Sequence, residues 1–208
     1  MEFIDFHTHQ PTAEGVISPR SFGIHPWDAD KEETRDYDSF RAEYLSRFEQ
    51  ADIVGECGLD KCCVAKWERQ KELFEWQIRI AIELDKPMVI HCVRSYDELM
   101  AMRRAVEGLM PGTWVVHGFT GHRQLAGQLY REGIWVSYGA AILDSRRIKV
   151  RDSLSDNPNP FMLETDTDSC GIEAIYREAA CIRGTTPQEL ANTIKENYNA
   201  LFEKKDRR

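Results

Sequence analysis

Two histidines at alternate positions, His7 and His9, close the apolar run Phe3-Ile4-Asp5-Phe6. A strand turns successive side chains to opposite faces, so residues two apart share a face and both imidazoles can address one metal ion. Satisfied core histidines show the same spacing, because imidazole suits core hydrogen bonding as well as coordination of Zn, Mn or Fe. The rest of the chain separates the two readings. Glu56 ends Ile53-Val54-Gly55, His91 ends Met88-Val89-Ile90, His117 ends Trp114-Val115-Val116, and Asp166 follows Met162-Leu163-Glu164-Thr165. Together these are four imidazoles and two carboxylates, enough for two divalent ions with open positions for water. Two metals sharing a carboxylate lower the pKa of a bridging water toward neutrality and clamp the attacking and leaving oxygens. Hydrolysis by metal-activated water is the chemistry expected.

Such a set works only if the strand ends converge. Short apolar runs at residues 2–7, 52–57, 87–92, 113–117, 134–138 and 161–165, with a less regular one at 20–25, alternate with amphipathic segments. Residues 67–84 place Trp67, Gln70, Leu73, Phe74, Ile78, Ala81 and Leu84 at helical spacing, and 95–107, 122–132 and 171–182 behave alike. A last helix starts with Thr186 as N-cap, Pro187 at its first position and Glu189 completing a capping box. Apolar strands with helices between them imply a parallel sheet buried on both faces, either doubly wound or closed into a barrel. Ligand-type residues at several strand ends favour the barrel, whose strand C-termini all meet at one mouth. The expectation is an α/β fold, a TIM-like β/α barrel, as a single domain over residues 1–208.

Composition bounds the reading. At 208 residues and 42% hydrophobic content the chain can bury one sizeable core. Met1-Glu2-Phe3 carries no basic leader, Asp5 interrupts the first apolar stretch, and no run approaches a membrane span, so a cytoplasmic address without membrane is expected. Cys57, Cys62, Cys63, Cys92, Cys170 and Cys181 form neither a disulfide framework nor a paired zinc motif and read as reduced thiols. A net charge of −8 argues against a broad basic surface for nucleic acid. Bound divalent cations still draw an anionic substrate into a local pocket. Oligomeric state is not legible.

Several ordered segments resemble the TatD family of metal-dependent hydrolases, a branch of the amidohydrolase-like barrels. They are Asp5-Phe6-His7-Thr8-His9, Gly23-Ile24-His25-Pro26, Gly55-Glu56-Cys57-Gly58-Leu59-Asp60, Gln70 with Phe74 and Gln77, Pro87 to His91, His117-Gly118-Phe119-Thr120-Gly121, Ser137-Tyr138-Gly139 and Glu164-Thr165-Asp166. The resemblance implies that His7, His9 and Asp166 hold one divalent ion, that His91 and His117 hold the other, and that Glu56 bridges them. It also implies nuclease activity on nucleic-acid ends, with Zn, Mn or Mg as the metal. Three departures stand out. Residues 10–22 are too few for a strand flanked by two helices, so the barrel should be distorted or incomplete, with about seven strands and residues 20–25 supplying the second. Arg94 follows His91 one residue later than the family's usual arginine. Thr167-Asp168-Ser169-Cys170 follows Asp166 without the usual proline.

Catalysis falls to Asp166 and Glu56 on this reading, and substrate binding to His25, Asp60 and Arg94. His25 either faces substrate or hydrogen-bonds its own loop, and Asp60 either orients a ligand or caps a turn. Trp67 and Trp76 read as helix packing. The leading expectation is a phosphodiesterase with nucleic-acid ends or another small anion as partner. The alternatives are a metal-dependent ester or amide hydrolase and a non-enzymatic binding protein on the same barrel.

Overall fold

The computed structural model describes residues 2–31, 37–109 and 112–203. Eight strands and seven α-helices occur among them: β1 Phe3–Ile4, β2 Val16–Ile17, β3 Ser21–Phe22, α1 Tyr37–Gln50, β4 Ile53–Asp60, α2 Trp67–Glu83, β5 Met88–Val93, α3 Tyr96–Ala105, β6 Trp114–Val116, α4 Arg123–Arg131, β7 Ile134–Tyr138, α5 Ile148–Ser155, β8 Phe161–Leu163, α6 Ile172–Arg183 and α7 Pro187–Phe202. The chain divides into two compact units, Met1–Pro19 with Val116–Arg208, and Arg20–Val115. Strand β6 crosses the division, so the second unit holds the order β3-β4-β5-β6 and the first holds β6-β7-β8 beside a separate β1-β2 pair. In each unit the order follows the chain and never reverses, which is barrel winding rather than the reversal of a doubly wound sheet. Among the described residues, no helix is long and apolar enough to cross a membrane.

In the first unit the chain start pairs with β8. Phe6 N–H donates to the Leu163 carbonyl at 2.9 Å, Asp166 N–H to the His7 carbonyl at 2.9 Å, and His9 N–H to the Asp166 carbonyl at 2.9 Å. Backbone pairing alone thus sets the two N-terminal histidines beside Asp166. Buried Tyr176 on α6 anchors this edge from below, its hydroxyl donating to the Ile4 carbonyl at 3.0 Å. The capping box forms as expected at Thr186 and Glu189.

The number of strands differs from expectation. Val16–Ile17 forms a strand, pairing in parallel with Phe3–Ile4, and Ser21–Phe22 is therefore third in sequence, not second. The segment 10–22 still has no room for helices. It carries two two-residue strands instead, Val16–Ile17 and Ser21–Phe22, the first reached by an irregular crossover that turns at Gly15 with φ +78°. Two apolar residues between Gly15 and Ser18-Pro19 are too short to show a period.

In the second unit β4 is the strand that places side chains. Its register against β5 runs Val54 to Met88 and then Cys57 to Ile90, one residue more on β4 than on β5, so a bulge falls at Gly55-Glu56. Gly55 in the bulge and Gly58 just after it are both required. A Cβ on Gly55 would lie 2.2 Å from the Val89 carbonyl oxygen, and one on Gly58 2.1 Å from that of His91, at φ values of +137° and +141°. Helix α2 then fixes the ends of β3 and β4 with two buried amides seven residues apart on one face. Gln70 accepts from Asp60 N–H at 2.8 Å and donates to the Asp60 and Ala65 carbonyls at 3.0 and 2.9 Å. Gln77 accepts from Ile24 N–H at 2.7 Å and donates back to the Ile24 carbonyl at 3.0 Å.

Each glutamine thus replaces a missing strand neighbour for backbone that would otherwise be buried and unpaired. Gln77→Ala should therefore cost roughly 2–6 kcal/mol, from two orphaned backbone groups at about 1–3 kcal/mol each. Urea denaturation of the variant checks this, and a loss below about 0.5 kcal/mol would contradict it.

Candidate functional site

The first unit carries His7, His9 and Asp166 with one ligand atom from each lying within 4.8 Å of the others. Asp166 Oδ1 sits 3.8 Å from His7 Nε2 and 3.6 Å from His9 Nε2. A tetrahedral ion with ligands at about 2.1 Å holds its donors roughly 3.4 Å apart, so two nitrogens and one oxygen here suit one divalent cation. Asp166 adopts φ +53°, in the left-handed region that aspartate tolerates better than most residues. His7 is buried and His9 half exposed, which leaves an open side to the group.

Behind these donors stand carboxylates of the same parity, one layer deeper. Asp5 accepts from Thr165 N–H at 2.9 Å and Thr165 Oγ1–H at 2.6 Å, and Thr165 Oγ1 lies 2.8 Å from Thr8 Oγ1. Burial pushes the Asp5 carboxyl up to about 6 despite these bonds and the neighbouring His7. Glu164 is wholly buried and its Oε1 lies 3.6 Å from His117 Nδ1. Burial raises its pKa, but His117, His7 and Ser137 outweigh that and hold it below the usual carboxylate range. Gly118 N–H also donates to Glu164 Oε1. The His117 and His7 rings stand edge to face with centroids 4.8 Å apart.

The second unit carries His25, Glu56 and His91, again with ligand atoms within 4.8 Å. Glu56 Oε1 lies 3.1 Å from His25 Nε2 and 2.9 Å from His91 Nδ1. The other nitrogen of His91 lies 3.1 Å from Asp60 Oδ2. Asp60 also accepts from the Trp27 indole N–H at 2.7 Å and from Cys62 N–H at 2.7 Å. Burial opposes its charge, but the bonds from Trp27, Cys62 and His91 hold the Asp60 carboxyl below the usual range. A charged carboxylate behind an imidazole fixes its tautomer and raises its basicity, the arrangement found behind metal-ligating histidines.

Each residue anticipated from the sequence has a definite place. Of the two roles expected of His25, the loop hydrogen bond forms, its Nδ1 accepting from Trp27 N–H at 3.3 Å, and its Nε2 faces Glu56. Asp60 likewise caps the turn at Cys62 and orients His91. Cys57 points away from Glu56 into the core, and burial pushes its thiol pKa up. Arg94 is exposed at φ +53° and joins neither group. Two contributors escaped the sequence reading. Glu164 entered only within the segment that ends at Asp166, and Trp27 not at all, although it directly follows the Gly-Ile-His-Pro turn. The first unit also holds a cavity of about 440 Å³ lined by Thr120, Arg146, Arg147, Ile148, Lys149 and Val150.

A family model described as TatD related DNase matches residues 15–203. A 3'-5' ssDNA/RNA exonuclease TatD of Citrobacter koseri is 28% identical over 200 residues, covering 86% of this chain and 76% of that one. The metal-dependent hydrolase YjjV of Escherichia coli K12 is 30% identical over 197 residues, covering 88% and 75%. The crystal structure of YjjV, a TatD homologue from Escherichia coli, superposes with a TM-score of 0.79 at 22% identity over 98% of both chains, and this likeness shows the fold.

Glu164→Gln keeps the size of the side chain and an acceptor for Gly118 but removes the charge beside His117. With His117 as a metal ligand, divalent-metal affinity should fall about 10- to 100-fold, the usual worth of a carboxylate behind a ligating histidine. Competition with a chelating dye measures it, with circular dichroism confirming the fold. An affinity equal to that of the unaltered chain would contradict the role.

Proposed function

The chain belongs to the TatD related DNase family of metal-dependent hydrolases, and we propose that it is a phosphodiesterase acting on the ends of single-stranded nucleic acid. The observation that carries the reading is the His7, His9 and Asp166 group, two imidazoles and a carboxylate spaced for one cation with an open side. Support for the substrate comes from relatives named as single-strand exonucleases. The ligands we propose are His7, His9, His117 and Asp166 in the first unit, and Glu56 and His91 in the second. It would hold two divalent ions, Zn, Mn or Mg. Bound ions of this kind supply Lewis acidity to a phosphoryl oxygen and lower the pKa of water.

The chain's own residues do the rest. Asp166, part exposed and flanked by two imidazoles, accepts the proton of the attacking water. Glu56, shared by His25 and His91 in this structure, is the carboxylate of the second unit's group, and His25 donates a proton to the departing oxygen. Arg146, Arg147 and Lys149 around their cavity offset the chain's net charge of −8 locally and favour a phosphate-bearing substrate. We read residues 1–208 as one domain because the family match runs through both units. Free cysteines throughout fit a cytoplasmic setting.

The reading is tested by comparing divalent-dependent release of nucleotides from single-stranded DNA with release of acid from ester and lactone substrates. Nucleotide release is expected, and acid release alone would overturn the phosphodiesterase reading. Asp166→Asn should retain at least one ion yet lose about a hundredfold to ten-thousandfold in turnover, the usual worth of general-base help. Near-normal turnover with an unchanged pH profile would make Asp166 a dispensable ligand.

A further inference from the structure

Trp27 is the middle residue of a short 3-10 turn, Pro26–Asp28, that follows β3. Its side chain is 61% exposed, although tryptophan has more apolar surface to bury than any other residue. Exposure here is not looseness. The indole N–H donates to Asp60 Oδ2 at 2.7 Å, and Asp60 is itself almost wholly buried. The ring stands edge to face with His25, centroids 4.7 Å apart at 86°, and lies 6.1 Å from the His91 ring at 77°. Pro26 fixes the backbone just before it, and the His25 ring accepts its N–H. A flat aromatic surface is thus held in one orientation against the His25, Glu56 and His91 group, with most of it turned to water.

We propose that Trp27 is a stacking platform for a nucleobase of the single strand, next to the phosphodiester being cut. The inference rests on the phosphodiesterase reading and adds the element that reading lacks. A chain of net charge −8 holds a polyanion poorly through its backbone alone. Stacking supplies affinity without charge, and it is tolerant of sequence because every base has a π-face. It also selects single strands, since bases in a duplex are already stacked on one another. Trp27 is therefore a substrate-binding residue, whereas Asp60, which holds it, is a positioning residue.

The test uses the full chain with Trp27→Ala and Trp27→Phe, on oligonucleotides with ordinary or abasic terminal nucleotides. Binding is read by fluorescence anisotropy in calcium and cleavage is read in manganese. Trp27→Ala should weaken binding and raise KM about tenfold on the ordinary strand, with kcat much less affected. Trp27→Phe, which keeps a ring but has no donor for Asp60, should recover most of the loss. On the abasic strand the penalty should vanish. Equal damage from both variants, or an equal penalty on the abasic strand, would overturn stacking in favour of an effect through Asp60. Cleavage with no penalty in Trp27→Ala would overturn stacking while the phosphodiesterase reading stands. Binding with the expected penalty but no cleavage would do the reverse, and absence of binding would overturn both.

Discussion

A carboxylate taken out of water must find a cation or hydrogen-bond donors, because the desolvation cost otherwise neutralises or expels it. That constraint organises both units of this protein. Glu164 is wholly buried beside His117, Asp60 is buried against His91 and Trp27, and Asp5 is buried against Thr165. The partners stand in or shortly after strands: His91 within β5, His117 and Thr165 just past β6 and β8, and Trp27 in the turn that follows β3. The carboxylates and imidazoles therefore hold one another in fixed orientations before any ligand arrives. Preorganised donors of this kind are what a divalent ion requires, since the chain need not reorganise to bind it.

The backbone serves this arrangement with unusual economy. In the first unit, three main-chain hydrogen bonds align His7, His9 and Asp166. In the second, a bulge in β4 turns Glu56, two glycines admit the close approach to β5, and two buried glutamines from α2 satisfy the backbone of Ile24 and Asp60. Packing, register and site are thus a single problem in β4. A change that merely adds a methyl group at Gly58 strikes the carbonyl of His91, a residue of the candidate metal group.

Much of the site was legible because strand parity is a strong rule. His7 and His9, which alternation sets on one face, both come beside Asp166. Gln70 and Gln77 were visible as the polar members of an otherwise apolar helix face, though their role as backbone partners needs the neighbouring strand ends in view. Other features had no local signature. Val16–Ile17 is too short for a period, the extra residue at Gly55-Glu56 is a property of two strands rather than one, and Trp27 looks like any loop tryptophan until its hydrogen bond to Asp60 is seen. Arg94, named through the resemblance by its place after His91, is exposed, and its part in substrate binding has no signature within the chain itself.

The central claim is that these His and carboxylate groups bind divalent ions and hydrolyse a phosphodiester through them. The most direct measurement strips the protein with chelator, titrates it with Mn or Zn by calorimetry, and follows nucleotide release from a single-stranded oligonucleotide at each point. The account predicts saturable binding of two ions per chain, with hydrolysis absent in chelator and rising in step with occupancy. Undiminished hydrolysis in chelator, or a stripped chain that takes up no stoichiometric metal, would contradict it.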